Sequence, residues 1–145
     1  MMMMMSAGMR PAPEWPVPGM PSLRVLVAED ERLAALVIAE ALAEAGHAVL
    51  LAGDGEAALR LAADNPFDVL LTDLTLPRMT GWELIPRLRA QRPDLPVVVM
   101  TGFLRPGGRE VLLADARGRL AILLKPFEIG QLLDALARVA AAVPA

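Results

Sequence analysis

Short apolar runs alternate with longer amphipathic stretches along most of this chain of 145 residues. Five runs have the length of a β-strand and are apolar at nearly every position, namely 23–28, 48–52, 67–72, 96–101 and 120–124. Most stretches between them place apolar residues three and four positions apart, a spacing that predicts α-helices. In the first stretch these residues are Leu33, Leu36, Val37, Ala41 and Leu42. Strands that are apolar on both faces need helices on both sides, so the pattern predicts an α/β fold with a doubly wound, five-stranded parallel sheet.

Residues at the ends of the amphipathic stretches add signals for helix boundaries. Asp54 precedes one stretch as a helix cap, and that helix must end before Pro66. Residues 127–143 form the last predicted helix. Between the fourth and fifth runs, proline and glycine at 106–108 leave room for a helix only over 109–116. We expect that helix to be short.

The first 22 residues show neither the apolar runs that predict strands nor the apolar spacing that predicts helices. Five methionines are followed by prolines at 11, 13, 16, 18 and 21, which remove backbone donors and favour an extended chain. Gly8, Arg10 and the prolines also interrupt the apolar core of about 7–15 residues that a signal peptide needs. We interpret residues 1–22 as a disordered leader and residues 23–145 as one folded domain.

Composition narrows the class of function. A net charge of −3 argues against electrostatic binding of nucleic acid. The absence of cysteine excludes disulfides, thiolate zinc sites and iron–sulfur clusters, and the single histidine, His47, excludes a multi-histidine metal site. We expect His47 to have a surface or turn role. No apolar stretch reaches the roughly 18–20 residues of a membrane-spanning helix, so we expect a cytoplasmic protein that binds no membrane.

Polar residues stand at the carboxyl ends of four of the five apolar runs. Ligands of open parallel sheets bind at the carboxyl ends of the strands. These residues should therefore share one small site. They are Glu29 and Asp30 after the first run, Asp73 after the third, Thr101 at the end of the fourth, and Lys125 after the fifth.

Three carboxylates at short range repel one another, and a hard divalent cation such as Mg²⁺ relieves that repulsion. A carboxylate beside the cation could then attack a phosphoryl group and form an aspartyl phosphate. Lys125 would offset charge on the phosphoryl oxygens, and Thr101 would donate to one of them. The alternative is that the acids cap the following helices, which explains Glu29 or Asp54 singly better than the whole set.

Four segments resemble the motifs of receiver domains of two-component response regulators: VLVAEDE at 25–31, DLTLPRMTG at 73–81, MTG at 100–102 and KPF at 125–127. The resemblance covers roughly residues 23–143. It implies a flavodoxin-like receiver fold with strand order 2-1-3-4-5 and five flanking helices. It also implies that a histidine kinase or a histidine phosphotransfer protein phosphorylates Asp73.

The resemblance further implies roles for individual residues. The catalytic set would be Asp73 as phosphoacceptor, Thr101 as switch hydroxyl and Lys125 as phosphate-binding ammonium. The Mg²⁺ ligands would be Asp30, Asp73 and the carbonyl of Thr75, with Glu29 acting through water. Members of the family often have a cis peptide bond after this lysine, so we expect one between Lys125 and Pro126.

Two positions depart from the family pattern. Ile122 stands three residues before the lysine, where the family normally has tyrosine or phenylalanine. Gly102 follows the switch hydroxyl, where alanine is common. Since a β-branched isoleucine cannot imitate a swinging ring, we expect the phosphorylation signal to spread mainly through residues 102–119.

We expect a stand-alone receiver, monomeric or weakly dimeric, without a separate catalytic domain. Its output would pass to a protein bound on the face of the fourth helix, fifth strand and fifth helix. One alternative is a degenerate receiver that binds partners without phosphorylation, which intact Asp73, Asp30 and Lys125 disfavour. Another is a flavodoxin-like cofactor binder, which would need a phosphate-binding loop where Glu29 and Asp30 stand.

Overall fold

A computed structural model describes residues 22–114 and 119–141, which form five strands alternating with five helices. The predicted leader lies outside the described residues except for Ser22. The strands are β1 (Arg24–Ala28), β2 (Ala48–Ala52), β3 (Val69–Asp73), β4 (Val97–Thr101) and β5 (Leu120–Leu124). The helices are α1 (Arg32–Glu44), α2 (Gly55–Asp64), α3 (Gly81–Gln91), α4 (Gly108–Leu113) and α5 (Ile129–Ala141).

All five strands are parallel and lie in the order β2-β1-β3-β4-β5, which confirms the predicted fold class and topology. The three central strands are buried, apart from Arg24 at the start of β1. The edge strands β2 and β5 are only partly buried, so the expectation that all five runs are covered on both faces is wrong for these two. Each has one neighbouring strand, and Leu51 and Leu124 face solvent there.

The side chains of the central strands alternate between two apolar cores. Val25 and Val27 of β1 face α1 and α5, whereas Leu26 and Ala28 face α2, α3 and α4. The sheet is therefore covered on both sides, and its carboxyl edge remains open for chemistry.

Helix α1 buries only part of the stripe that its apolar spacing predicts: Leu42 is buried as expected, but three other residues of that stripe are exposed. Ala35, Ile38 and Leu42 pack into the core. The side chains of Leu33, Leu36 and Val37 are 74%, 51% and 57% exposed, and we refer to these three as the α1 patch. Because α1 is apolar on more than one side, periodicity could not decide which stripe meets the sheet.

Helix α4 is short, as predicted, with six residues. It begins after Gly107, whose backbone is left-handed with φ of 82°. Glycine adopts this conformation without steric penalty, so the glycine that limits the helix also allows the turn into it.

His47 lies in the turn between α1 and β2 and is buried, so the turn role is confirmed and the surface role is wrong. Its Nδ1 atom accepts a hydrogen bond of 3.1 Å from the backbone N–H of Leu23. Burial lowers the pKa of His47, which favours the neutral imidazole that this bond requires.

No helix within residues 22–114 and 119–141 has both the length and the hydropathy of a membrane-spanning segment.

Candidate functional site

The strand register brings the predicted polar residues to one edge of the sheet. Ala28 of β1 pairs with Thr72 of β3, so the residues that follow them, Glu29 and Asp73, lie on adjacent strands. Thr101 ends β4 and pairs with Leu124 of β5, whose successor is Lys125. Glu29, Asp73 and Thr101 are buried, while Asp30 is exposed.

Lys125 joins two of the carboxylates. Its Nζ atom lies 2.6 Å from Oδ2 of Asp73 and 2.9 Å from Oε1 of Glu29. Burial by itself lowers the pKa of Lys125, but the hydrogen bonds and charges of Asp73 and Glu29 outweigh burial and raise the pKa above its ordinary value. The ammonium of Lys125 therefore stays charged next to Asp73, the residue that the sequence predicts as phosphoacceptor.

Glu29, Asp30 and Asp73 form an acidic cluster. Each offers one carboxylate oxygen, and these three oxygens lie within 4.8 Å of one another. Three carboxyl groups share one lysine ammonium, and all the donors are hard oxygens. The donor set therefore fits a hard divalent cation such as Mg²⁺.

The loop between β3 and α3, residues 74–80, is packed closely around Asp73. The backbone N–H of Thr75 donates to Oδ1 of Asp73 at 2.9 Å. A Cβ atom at Gly81 would overlap the carbonyl oxygen of Asp73, and one at Gly55 would overlap the carbonyl oxygen of Met79. Glycine is required at both positions because backbone passes where a side chain would begin.

Sequence reasoning missed three residues that hold this loop in place. It did not assign a role to Gly55 or Arg78, and it identified Asp54 only as a helix cap. Asp54 does cap α2, since its Oδ1 accepts the N–H of Ala57 at 2.7 Å. Its Oδ2 also lies 3.0 Å from Nη1 of Arg78. The capping motif was the only local signal, because the partner of Oδ2 comes from a distant loop.

Thr101 adjoins the cluster, but its hydroxyl is bonded within its own loop. Oγ1 donates to the carbonyl oxygen of Phe103 at 2.8 Å and accepts from the N–H of Phe103 at 3.3 Å. An approach of this hydroxyl to a group on Asp73 would therefore break two bonds to residue 103.

The two remaining expectations concern β5 and the turn that follows it. Ile122 is half-buried and packs against the core shared by α2, α3 and α4. The peptide bond between Lys125 and Pro126 is cis, as predicted.

A shallow cavity of about 270 Å³ lies beside the acidic cluster. Glu29 and Lys125 form its polar side, while Leu33 and Val37 of the α1 patch and Ile129 of α5 contribute apolar surface. Two of the three residues of the α1 patch therefore line the mouth of the site.

Comparison with known proteins identifies the same family that the four sequence motifs resemble. The family model for the response regulator receiver domain matches residues 25–137. A response regulator receiver protein from Anaeromyxobacter is 39% identical over 111 residues, which are 77% of this chain and 46% of that protein. The transcriptional regulator NtrC of Azospirillum brasilense is 34% identical over 123 residues, which are 82% of this chain and 24% of NtrC. The chain thus spans less than half the length of these curated relatives.

Solved structures show the same fold. The chemotaxis response regulator CheY4 of Vibrio cholerae has a TM-score of 0.73 and 31% identity, with 82% of this chain and 99% of CheY4 covered. The receiver domain of the sensor histidine kinase PA1611 from Pseudomonas aeruginosa has a TM-score of 0.72 and 30% identity, with 83% and 99% covered. That structure has a magnesium ion coordinated in its active-site cleft.

Proposed function

The chain belongs to the response regulator receiver domain family, and we propose that it accepts a phosphoryl group on Asp73 in a magnesium-dependent reaction. The observation that carries the proposal is the contact of 2.6 Å between Nζ of Lys125 and Oδ2 of Asp73, within a cluster that includes Glu29 and Asp30. An isolated structural ion pair would not need two further carboxylates around it.

Asp73 is oriented for nucleophilic attack. The N–H of Thr75 holds Oδ1, and the ammonium of Lys125 holds Oδ2. A carboxylate oxygen of Asp73 forms the new bond to phosphorus, while the bond from phosphorus to the donor histidine nitrogen breaks and its electron pair stays on the imidazole. Lys125 then pairs with the phosphoryl oxygens, and Thr101 donates to one of them after leaving Phe103.

The acidic cluster supports a role for Mg²⁺ in this reaction. Asp30, Asp73 and the carbonyl of Thr75 would bind the ion directly, with Glu29 acting through water. When bound, the ion supplies positive charge that stabilises the transferring phosphoryl oxygens. The receiver domain of PA1611 also supports this role, because it is 30% identical to this chain and has a magnesium ion coordinated in its active-site cleft.

The α1 patch supports a protein as phosphodonor, either a histidine kinase or a histidine phosphotransfer protein. Exposed apolar side chains that adjoin a reactive site mark a surface for protein contact. Leu36→Ser should slow transfer from a histidine kinase that labels the wild type, without changing labelling by acetyl phosphate. Leu51→Ser on β2 is the matched control, and an equal loss in both variants would contradict the role of the patch.

The output surface and the oligomeric state stay predictions, as does the stand-alone organisation. Helix α4 and β5 expose Val111, Leu113 and Leu124, which supports a downstream protein on the face of α4, β5 and α5. We propose a monomer or weak homodimer.

Incubation with acetyl phosphate and Mg²⁺, followed by intact mass spectrometry, tests the proposed function. The protein should gain the mass of one phosphoryl group, and Asp73→Asn should gain none. Asp64→Asn, at an exposed carboxylate ending α2, is the matched control and should be labelled like the wild type. An unlabelled wild type would instead support a degenerate receiver that only binds partners.

A further inference from the structure

We propose that Asp54 and Arg78 are positioning residues for the cation site. Their ion pair ties the β3–α3 loop, residues 74–80, to the start of α2. This loop carries Thr75, whose carbonyl is a metal ligand in the proposed function. The inference therefore rests on that function and adds two residues to the site.

One end of the pair is fixed by a second bond, whereas the other is a long and exposed side chain. Asp54 has a side chain only 16% exposed, and its Oδ1 is held by the N–H of Ala57 at the start of α2. Arg78 has a side chain 63% exposed, and its Nη1 atom reaches Oδ2 of Asp54 at 3.0 Å. Asp54 is held at the start of α2, so its ion pair with Arg78 restrains the loop rather than the helix.

The backbone of Arg78 supports a role for its side chain. It is left-handed, with φ of 68°, and residues with a Cβ atom disfavour this region. Glycine would adopt the same conformation freely but could not reach Asp54. An arginine kept in a strained conformation, in the loop that follows Asp73 and with its guanidinium on Asp54, points to a function of the guanidinium.

Arg78 lies between the two places where the loop meets the site. Thr75 bonds to Oδ1 of Asp73 on one side, and the N–H of Gly81 bonds to the carbonyl of Leu74 at 3.0 Å on the other. Met79, directly after Arg78, is buried over Gly55. Without the ion pair, the exposed corner of the loop at Arg78 would lose its charged tie to the turn that starts α2, and the Thr75 carbonyl would be less well placed.

Arg78→Gly separates positioning from stability. It removes the pair but relieves the left-handed strain, so the thermal midpoint of the metal-free protein should not fall. The Mg²⁺ dissociation constant of the unphosphorylated protein, measured by calorimetric titration, should rise about fivefold. A merely structural role would move the midpoint and the affinity together.

Three further variants sharpen this test. Asp54→Ser keeps a side-chain oxygen for the α2 cap but is too short for Arg78, so it should weaken Mg²⁺ binding like Arg78→Gly. The double variant should lose no more than either single variant, since both remove the same pair. Arg78→Lys keeps the charge and should restore most of the affinity.

Wild-type affinity in Arg78→Gly and Asp54→Ser would overturn the inference. If the wild type in the same experiment binds Mg²⁺ and accepts phosphate from acetyl phosphate, that result leaves the proposed function intact. If the wild type binds no Mg²⁺, both the proposed function and this inference fall.

Discussion

Two loops flank the acidic cluster, and they are built in different ways. In the β3–α3 loop, residues 74–80, Met79 is buried and Gly55 and Gly81 allow contacts that no larger residue could make. Thr75 bonds directly to Asp73. This loop is therefore fixed to the site by backbone contacts, and the ion pair between Asp54 and Arg78 holds its exposed corner.

The β4–α4 loop, residues 102–107, makes fewer close contacts, and Leu104 is its one residue packed against the core of α2, α3 and α4. A Cβ atom added at Gly102 or Gly107 would meet no described atom within 4 Å, and Phe103 is 73% exposed. The bonds between Thr101 and Phe103 and the stacking of Arg105 over Trp82, at 4.8 Å from the ring centroid, hold it. Apart from the packing of Leu104, these contacts can be exchanged without opening the core.

The difference between the two loops fits two separate roles at the site, which are holding a metal ligand in place and changing conformation on phosphorylation. The loop that carries a proposed metal ligand is packed against backbone, which keeps the donor atoms in place. The loop that begins at the proposed switch hydroxyl is open, so a new bond made by Thr101 can change its conformation. Because Ile122 replaces the usual aromatic residue, we expect the phosphorylation signal to spread mainly through residues 102–119, which begin with this loop.

Alanine substitutions at glycine should give the largest difference in stability between the loops. Gly55→Ala places a methyl group against the Met79 carbonyl, and we expect a loss of about 2–3 kcal/mol in the free energy of unfolding. Gly102→Ala enters open space and should change it by less than about 0.5 kcal/mol. Urea denaturation measures both values, and similar losses would remove the contrast between the loops.

Mg²⁺ binding tests the proposed metal site, which the closely packed β3–α3 loop flanks. Asp30→Asn removes a proposed direct ligand and should weaken Mg²⁺ binding about tenfold, or about 1.4 kcal/mol. Glu29→Gln removes a contact through water and should cost less. Calorimetric titration distinguishes them, and equal losses would contradict the assigned roles. Asp30→Asn should also raise the thermal midpoint without metal, because it relieves repulsion within the cluster.

A smaller effect is expected at the opposite edge of the sheet, away from both loops. His47 has a lowered pKa in the folded protein, so the unfolded chain binds its proton first as the pH falls. The contribution of His47 to stability is therefore complete above its ordinary pKa near 6.5 and is lost as the pH falls below that value. The free energy of unfolding, measured by urea denaturation between pH 5 and pH 8, should depend less steeply on pH in His47→Gln than in the wild type. An unchanged pH dependence would exclude this role.

Much of the fold and the site could be predicted because parallel strands gather their carboxyl ends. Glu29, Asp73, Thr101 and Lys125 each stand at a strand end, so local pattern and topology together placed them. The buried stripe of α1 could be predicted only at Leu42, since that helix is apolar on more than one side. The partner of Arg78 could not be predicted either, because Arg78 and Oδ2 of Asp54 lie in two turns that are distant in the sequence and meet only in the folded chain.

The most direct test of the contrast between the loops is amide chemical-shift mapping with beryllofluoride, a phosphate mimic, bound at Asp73 in the presence of Mg²⁺. Residues next to Asp73 will shift in any case, so the informative residues are 76–80 in the β3–α3 loop and 108–113 in α4. We predict large shifts between Thr101 and Leu113, small shifts at 76–80, and an unchanged side-chain rotamer at Ile122. Large shifts at 76–80 with a fixed β4–α4 loop, or a rotamer change at Ile122, would contradict the account.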